Sequence, residues 1–182
     1  PEGPKELRIT EVMSTPLDDG TGEFIEIFNY GAEPANLEGL FLNDGTKKSR
    51  LMKRPGSATV VEPGTFAVIV DKQWKGSPTL PEGVAVLTVS TSALCATGIA
   101  ANETLTVETP RGRVLDRWSV AAELGAIKGS SVERIDTRSA SGEITTTYRT
   151  STAPGGSAGR VNDGSLLDFG SSDAPTTTAS EP

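Results

Sequence analysis

Two alternating segments near the N-terminus constrain the fold of this chain more than any other feature. Residues 7–13 and 23–29 each alternate apolar with polar side chains, and the stretch between them contains turn formers such as Pro16 and Gly20. A two-residue period is typical of a β-strand whose two faces meet different surroundings. The two segments therefore predict an antiparallel pair of strands joined by a turn.

In each of these strands, one predicted face mixes a glutamate with apolar side chains. The predicted faces are Leu7, Ile9, Glu11 and Met13 in the first strand, and Phe24, Glu26 and Phe28 in the second. We interpret Glu11 and Glu26 as structural groups that accept hydrogen bonds from loop backbone or pair with an arginine such as Arg134. The alternative is that Glu11, Glu23 and Glu26 provide an acid/base pair for glycoside hydrolysis.

The rest of the chain continues as short strands. About ten of them, with turn signals every eight to twelve residues, predict an all-β sandwich. Hairpins are expected over Asp44-Gly45 and over residues 110–112, a third strand over residues 37–43, and the last strands over 131–135 and 147–150. Residues 121–128 are the one stretch in which two helical turns are expected.

The composition excludes several classes of function. The 182 residues include no histidine, which removes the commonest general base and the commonest zinc ligand, so neither an enzyme nor a cofactor is expected. A net charge of −7 disfavours nucleic-acid binding. No apolar run approaches the roughly 18 residues that a spanning helix needs, so no membrane span is expected in this chain.

The paired strands resemble the lamin tail domain family, in the form carried by secreted bacterial proteins. Residues 9–13 read I-T-E-V-M and residues 22–29 read G-E-F-I-E-I-F-N. Further stretches that resemble the family follow in order at residues 36–44, 62–70, 101–107, 129–136 and 152–162. The resemblance departs from the family at Thr10, where asparagine is usual, and at Leu40, where tryptophan is usual.

This resemblance implies an immunoglobulin-like β-sandwich and a non-catalytic structural or interaction module. Such modules belong to secreted or cell-surface bacterial proteins, so an extracellular, cell-surface or periplasmic location is expected. The expected partner is another protein or further copies of the chain, through attachment or self-assembly, and a small-molecule substrate is not expected. The alternative is an accessory binding domain of a secreted hydrolase that recognises an anionic envelope or glycan ligand.

The predicted organisation is a lead-in at residues 1–4, the sandwich domain at 5–162 and a tail at 163–182, either flexible or docked. Gly, Ser, Thr, Ala and Pro dominate the tail, which is typical of a linker. A short apolar tract interrupts it and is predicted to dock on the domain or on another copy. That tract contains Leu166, Leu167 and Phe169.

A cluster of five cations within eight residues is the best candidate for a polar binding site on this acidic chain. It consists of Lys47, Lys48, Arg50, Lys53 and Arg54. One interpretation is a solvated hairpin that uses lysine to protect a sheet edge. The other is a contact for phosphates, acidic glycans or an acidic partner face.

Four weaker motifs are interpreted as structural. Residues 155–159 match the nucleophile pattern G-x-S-x-G but lack a histidine, so a terminal loop is expected. Asp18, Asp19 and Glu23 match no dedicated calcium loop and predict a solvated turn. Cys95 has no charged neighbour in sequence and predicts a buried thiol. Asn102 begins a glycosylation sequon, a pattern short enough to arise by chance.

Overall fold

The computed structural model describes residues 6–17, 22–75, 79–163 and 165. Within them the fold is all-β, as predicted, with a 3₁₀ turn at Leu94–Ala96 and a single-turn helix α1 at Ala122–Gly125. The strands are β1 (Leu7–Met13), β2 (Phe24–Asn29), β3 (Ala35–Asn36), β4 (Phe41–Asn43), β5 (Lys48–Lys53), β6 (Val60–Val61), β7 (Phe66–Val70), β8 (Ala85–Val89), β9 (Leu105–Glu108), β10 (Val114–Trp118), β11 (Val132–Arg138) and β12 (Ile144–Thr150).

Ten strands form one curled sheet in the order β10-β9-β4-β5-β8-β7-β2-β1-β11-β12. Strands β7 and β8 are parallel, and β3 pairs with β6 as a separate two-stranded unit. The curl brings β10 against β1, where the Ile9 N–H donates to Asp116 Oδ2 over 2.7 Å. The sheet therefore encloses its inner face, although β10 and β1 are seven strands apart in the sheet order.

The main hydrophobic core fills this inner face. Trp118 is 1% exposed and meets the Tyr148 ring edge-on at 4.9 Å, and around them pack mostly Val, Ile and Leu. Leu40 is also buried here. Burial of each large aliphatic side chain contributes about 1.5–3 kcal/mol, so the inner face accounts for much of the stability.

A β-bulge in β1 changes the predicted faces. The register with β2 shifts between Ile9 and Glu11, so that Thr10 and Glu11 together oppose Glu26. Ile9 stays in the main core, whereas Met13 joins an apolar cluster on the outer face of the sheet. The prediction that Ile9, Glu11 and Met13 share one face is therefore wrong, because the extra residue reverses the alternation.

The predicted hairpins are confirmed, but several element boundaries differ. Strands β4 and β5 pair across Asp44-Gly45, and β9 pairs with β10. The strand expected over residues 37–43 is broken by a turn in which Gly39 has φ +89°. Strands β11 and β12 are longer than predicted and form one hairpin. The helix expected over residues 121–128 is only one turn long.

The outer face carries the second apolar cluster, which includes Phe24, Val68 and Ala158. Ala158 belongs to residues 151–162, hereafter the C-terminal segment, which follows β12 and returns across β1 and β2. The segment reaches β1 through a hydrogen bond from the Asn162 amide to the Thr10 carbonyl at 2.9 Å. Among the described residues, no helix combines the length and hydropathy needed to cross a membrane.

Candidate functional site

The five predicted cations lie along the turn and strand at β5. The interpretation that their lysines protect a sheet edge is wrong, because β5 lies inside the sheet, with its first half paired to β4 and its second half to β8. Side-chain alternation along β5 buries Ser49 and Leu51 and exposes Lys48 and Arg50 on the outer face. Lys47, in the preceding turn, is exposed beside them.

The other two cations of the cluster lie apart from this group. The Arg54 guanidinium stacks over the Trp74 ring at 5.3 Å and donates a hydrogen bond of 3.1 Å to the Trp74 carbonyl. Lys53 ends β5 and is paired with the buried Leu87, so its side chain leaves the strand on the opposite face from Arg50. The sequence cluster therefore contributes only Lys47, Lys48 and Arg50 to one surface.

A buried glutamate, Glu108, lies under this surface and binds one of its lysines. Glu108 of β9 accepts hydrogen bonds from Asn43 Nδ2 at 2.6 Å and Thr106 Oγ1 at 2.8 Å, and its other oxygen meets Lys48 Nζ at 2.5 Å. Although burial opposes its ionisation, these hydrogen bonds and the Lys48 charge lower the pKa of Glu108. Glu108 thus stays anionic, and Lys48 is the cation that it holds in place.

The sheet register adds a cation that the sequence cluster did not contain. Arg117 of β10 pairs with Thr106, Thr106 pairs with Asn43, and Asn43 pairs with Lys48, so the four lie in one row. Arg117 is exposed, and it shares the outer face with Lys48 because its neighbour Trp118 points into the core. Three strand spacings separate the ends of the row by about 14 Å.

We call this surface the basic face. It comprises Lys47, Lys48, Arg50 and Arg117. The period-two pattern of β10 shows that Arg117 opposes Trp118, but only the pairing of β9 with β4 places it beside β5. That pairing joins segments more than 60 residues apart, and no local signal predicts it.

The second polar site is a row of three buried glutamates on neighbouring strands. Glu26, Glu11 and Glu133 are in register across β2, β1 and β11, and their exposures are 0%, 0% and 3%. We call them the glutamate row. Glu133 was not among the predicted site residues, because nothing near it in the sequence indicates that β11 pairs with β1.

The C-terminal segment supplies many of the hydrogen bonds to this row. Ser157 donates its N–H to Glu11 Oε1 at 2.8 Å, and its Oγ lies 2.9 Å from both Glu11 Oε2 and Glu133 Oε1. Ser131 Oγ also donates to Glu11. Arg149 forms an ion pair of 3.0 Å with Glu133. The row therefore fastens the C-terminal segment to three strands at once.

Ser157 lies among three acceptor oxygens. Its Oγ faces the two glutamate oxygens and, at 3.1 Å, Asn162 Oδ1, and a hydroxyl can donate its one proton to only one of them at a time. Burial, the largest influence, raises the pKa of Glu11. A higher pKa favours protonation of this carboxyl group, which reduces the crowding of acceptors at Ser157.

Glu26 lies deeper and has no cation beside it among the described residues. It accepts hydrogen bonds of 2.5 Å from Thr10 Oγ1 and from the Gly159 N–H. Thr10 is thus a direct hydrogen-bond partner of this carboxyl group. Burial, and then the neighbouring Glu11, raise the pKa of Glu26 well above its usual value.

Arg134 does not pair with Glu11 or Glu26, contrary to the prediction. It meets Asp116 at 3.4 Å and Asp136 at 3.3 Å. The reason is alternation along β11, which places Arg134 on the opposite face from Glu133. Glu11 and Glu26 are therefore held by hydroxyl and backbone donors rather than by an arginine.

The remaining candidate residues lie apart from both sites. Glu23 accepts a 3.3 Å hydrogen bond from the Ile99 N–H, and burial, then the charges of Asp71 and Glu103, raise its pKa to about 7. Cys95 is buried as predicted, and burial raises its pKa to about 12. Outside the described residues lie Asp18, Asp19, Leu166, Leu167 and Phe169.

The structure also locates the G-x-S-x-G pattern and the glycosylation sequon. Ser157, the serine of the G-x-S-x-G pattern, is engaged by the glutamate row, and Asn102 is exposed in the loop before β9. In the described ranges, no three acidic or cysteine side chains are grouped so that they could hold a metal ion.

No family model matches the chain, and no curated protein is significantly similar to it.

Proposed function

We propose that this chain is a non-catalytic attachment module that uses its basic face to bind an acidic partner protein or an acidic surface of another copy. The observation that carries the proposal is the convergence of Lys48 and Arg50 from β5 with Arg117 from β10 on one outer face. On a chain with a net charge of −7, such a local concentration of cations attracts and orients an acidic surface.

The proposed fold is an immunoglobulin-like β-sandwich of the lamin tail kind, carried by a secreted or cell-surface bacterial protein. The curl of the sheet, which lays β10 over β1 and encloses a core between two layers, supports this proposal. So does the order in which the family-like stretches occur along the chain. The proposed location is the cell exterior, the cell surface or the periplasm.

The arrangement of the glutamate row supports a structural role for it. A carboxylate pair for glycoside hydrolysis must flank a cleft that admits a sugar. Glu11 and Glu26 instead lie beneath the C-terminal segment and are fully occupied by donors from Thr10, Ser157 and Gly159. We therefore assign them to holding the segment.

A second candidate function is recognition of an anionic envelope or glycan ligand, as an accessory domain of a hydrolase. Phe41 favours it, because this half-buried ring lies on the basic face, paired with Arg50. An aromatic surface beside a cation suits a sugar that carries acidic groups.

Binding of two polyanions tests the proposal and separates these candidates. Poly-L-glutamate represents an acidic protein, dextran sulfate represents an anionic glycan, and affinity is measured by fluorescence anisotropy over a range of salt concentrations. We expect poly-L-glutamate to bind at low salt and the variant R50S/R117S to bind it at least tenfold more weakly. Preference for dextran sulfate would favour the glycan candidate.

The matched control is R138S/R160S, which removes two exposed arginines outside the basic face and gives the same net charge. We expect it to retain affinity within twofold. An equal loss in both variants would show that net charge, rather than the basic face, drives binding, and would contradict the proposal.

A further inference from the structure

The curled sheet ends in two strands that differ in how they are protected. β10 lies at one end and β12 at the other. A strand at a sheet edge presents backbone N–H and C=O groups that can pair with another chain, and proteins commonly block such edges with bulges, charges or proline. The two edges of this sheet can therefore be compared directly.

The β10 edge carries several protective features. Its register shifts between Val114 and Asp116, which is a bulge that twists the strand. The Asp116 carboxylate points inward, accepts the Ile9 N–H and meets Arg134. The strand also lies against β1, and Arg117 projects from it. A second chain has little regular backbone to pair with here.

The β12 edge has fewer of these features among its described residues, with Arg149 as its one charged side chain. Seven consecutive pairs join it to β11, from Val132 with Thr150 to Arg138 with Ile144, without a shift in register. Its sequence, I-T-T-T-Y-R-T, contains no proline, lysine or acidic residue. Residues 137–147 of the hairpin are all exposed, so the edge is accessible from solvent along the first part of β12, whereas residues 148–150 are half-buried.

We propose that β12 pairs in antiparallel fashion with β12 of a second copy of this chain, about a two-fold axis at Thr147. This axis is the one that overlaps all seven residues, because Thr147 is the central residue of Ile144–Thr150. Thr147 then faces its own counterpart, and Thr145 faces Arg149 of the other copy. The two sheets become one continuous sheet through an isologous contact.

The charges of the strand favour a second copy as the occupant. Arg149 is its only charged residue, and Glu133 of the same chain already neutralises it at 3.0 Å. The two-fold arrangement places each Arg149 opposite a threonine, so no like charges meet. Threonine pairs such as Thr147 with Thr147 are favourable cross-strand neighbours. The contact is separate from the basic face, so either can fail without the other.

Opposite charges at the axis provide the test. In T147K each copy places a lysine against a lysine, in T147E a glutamate against a glutamate, and an equimolar mixture places lysine against glutamate. Light scattering over a wide concentration range measures the mass of the full chain. We expect the parent to dimerise, each variant alone to dissociate at least tenfold more readily, and the mixture to recover dimers.

Ala140, exposed in the turn of the same hairpin, provides matched controls in A140K and A140E, which are expected to dimerise like the parent. Circular dichroism verifies that each variant is folded. The proposal is overturned if the parent is monomeric throughout, if T147K dimerises normally, or if mixing fails to recover dimers. A monomeric full chain together with a dimeric form ending at Ser165 would identify residues 166–182 as the occupant of the edge, which also overturns it.

Discussion

At the scale of single residues, burial of carboxyl groups without a cation requires a full set of donors. Removing a charge from water costs several kcal/mol unless hydrogen bonds replace the lost hydration or the group becomes protonated. Glu11 and Glu26 meet this requirement through hydroxyl and backbone donors. Both also have a raised pKa, so a proton in the folded state removes part of the cost.

The raised pKa of Glu26 predicts how stability depends on pH. An acid whose pKa is higher in the folded state loses stability as pH rises from its unfolded pKa, near 4.5, toward its folded pKa. In E26Q the amide has no proton to lose, while its oxygen can still accept the Gly159 N–H. We expect E26Q to be more stable than the parent at pH 8, by about 1–3 kcal/mol, and to lose this advantage near pH 4.

Urea unfolding of both proteins at pH 4, 6 and 8 measures the effect, with E38Q, which changes an exposed loop glutamate, as the control. Parallel curves for E26Q and the parent would show that Glu26 does not titrate differently in the folded state.

At the scale of elements, the sequence predicts local structure well and neighbours in the sheet poorly. The alternation of residues 7–13 and 23–29 and the turn at Asp44-Gly45 predicted strands that the structure contains. The bulge at Thr10 was not predicted, because it depends on how β2 and the C-terminal segment compete for donors and acceptors on β1. No particular residue type marks this bulge in the sequence.

The same reason limits what the sequence shows of the candidate sites. The cations of β5 were identified as a local cluster, but their neighbour Arg117 depends on the pairing of β4 with β9. Glu11 and Glu26 lie on the strands that the alternation predicted, whereas Glu133 joins them only through the pairing of β1 with β11. Which residues meet at each site depends on which distant strands pair and in which register. The alternation within one strand does not indicate either.

A second prediction concerns the junction between β1 and β11. Asn162 Nδ2 donates to the Thr10 carbonyl at 2.9 Å and to the Arg134 carbonyl at 3.1 Å, so a single amide joins the two strands. In N162D a carboxylate oxygen would face both carbonyls, and it would also add negative charge beside Glu133. We expect a loss of about 3–5 kcal/mol at pH 7, measured by urea unfolding.

The matched control is N36D, in which the exposed side chain can still accept the Glu38 N–H, and little change is expected. A loss in N162D no larger than that in N36D would show that the amide contributes little to the junction.

At the scale of the whole molecule, the C-terminal segment is part of the domain rather than an appendage. It covers the outer apolar cluster through Ala158 and supplies donors to Glu11 and Glu26. A chain that ends at Thr150 would expose that cluster and leave two buried carboxyl groups without those donors. We expect such a chain to lose cooperative unfolding, and a chain that ends at Ser165 to retain it.

Thermal unfolding followed by near-ultraviolet circular dichroism distinguishes the two truncated chains. A cooperative transition in the chain that ends at Thr150, at the temperature of the parent, would show that the segment adds nothing to the fold.

The position of β1 between β2 and β11 has a consequence for synthesis. This strand is synthesised before the other strands of the sheet and meets β2 soon after, but its other side waits for β11 and Ser131, which lies 120 residues beyond Glu11. At about 5–20 residues per second, the nascent chain carries a half-paired strand, with Glu11 still lacking its Ser131 donor, for roughly 6–24 s. Such distant contacts make folding slow, so this protein completes its fold only after its last strands have been translated.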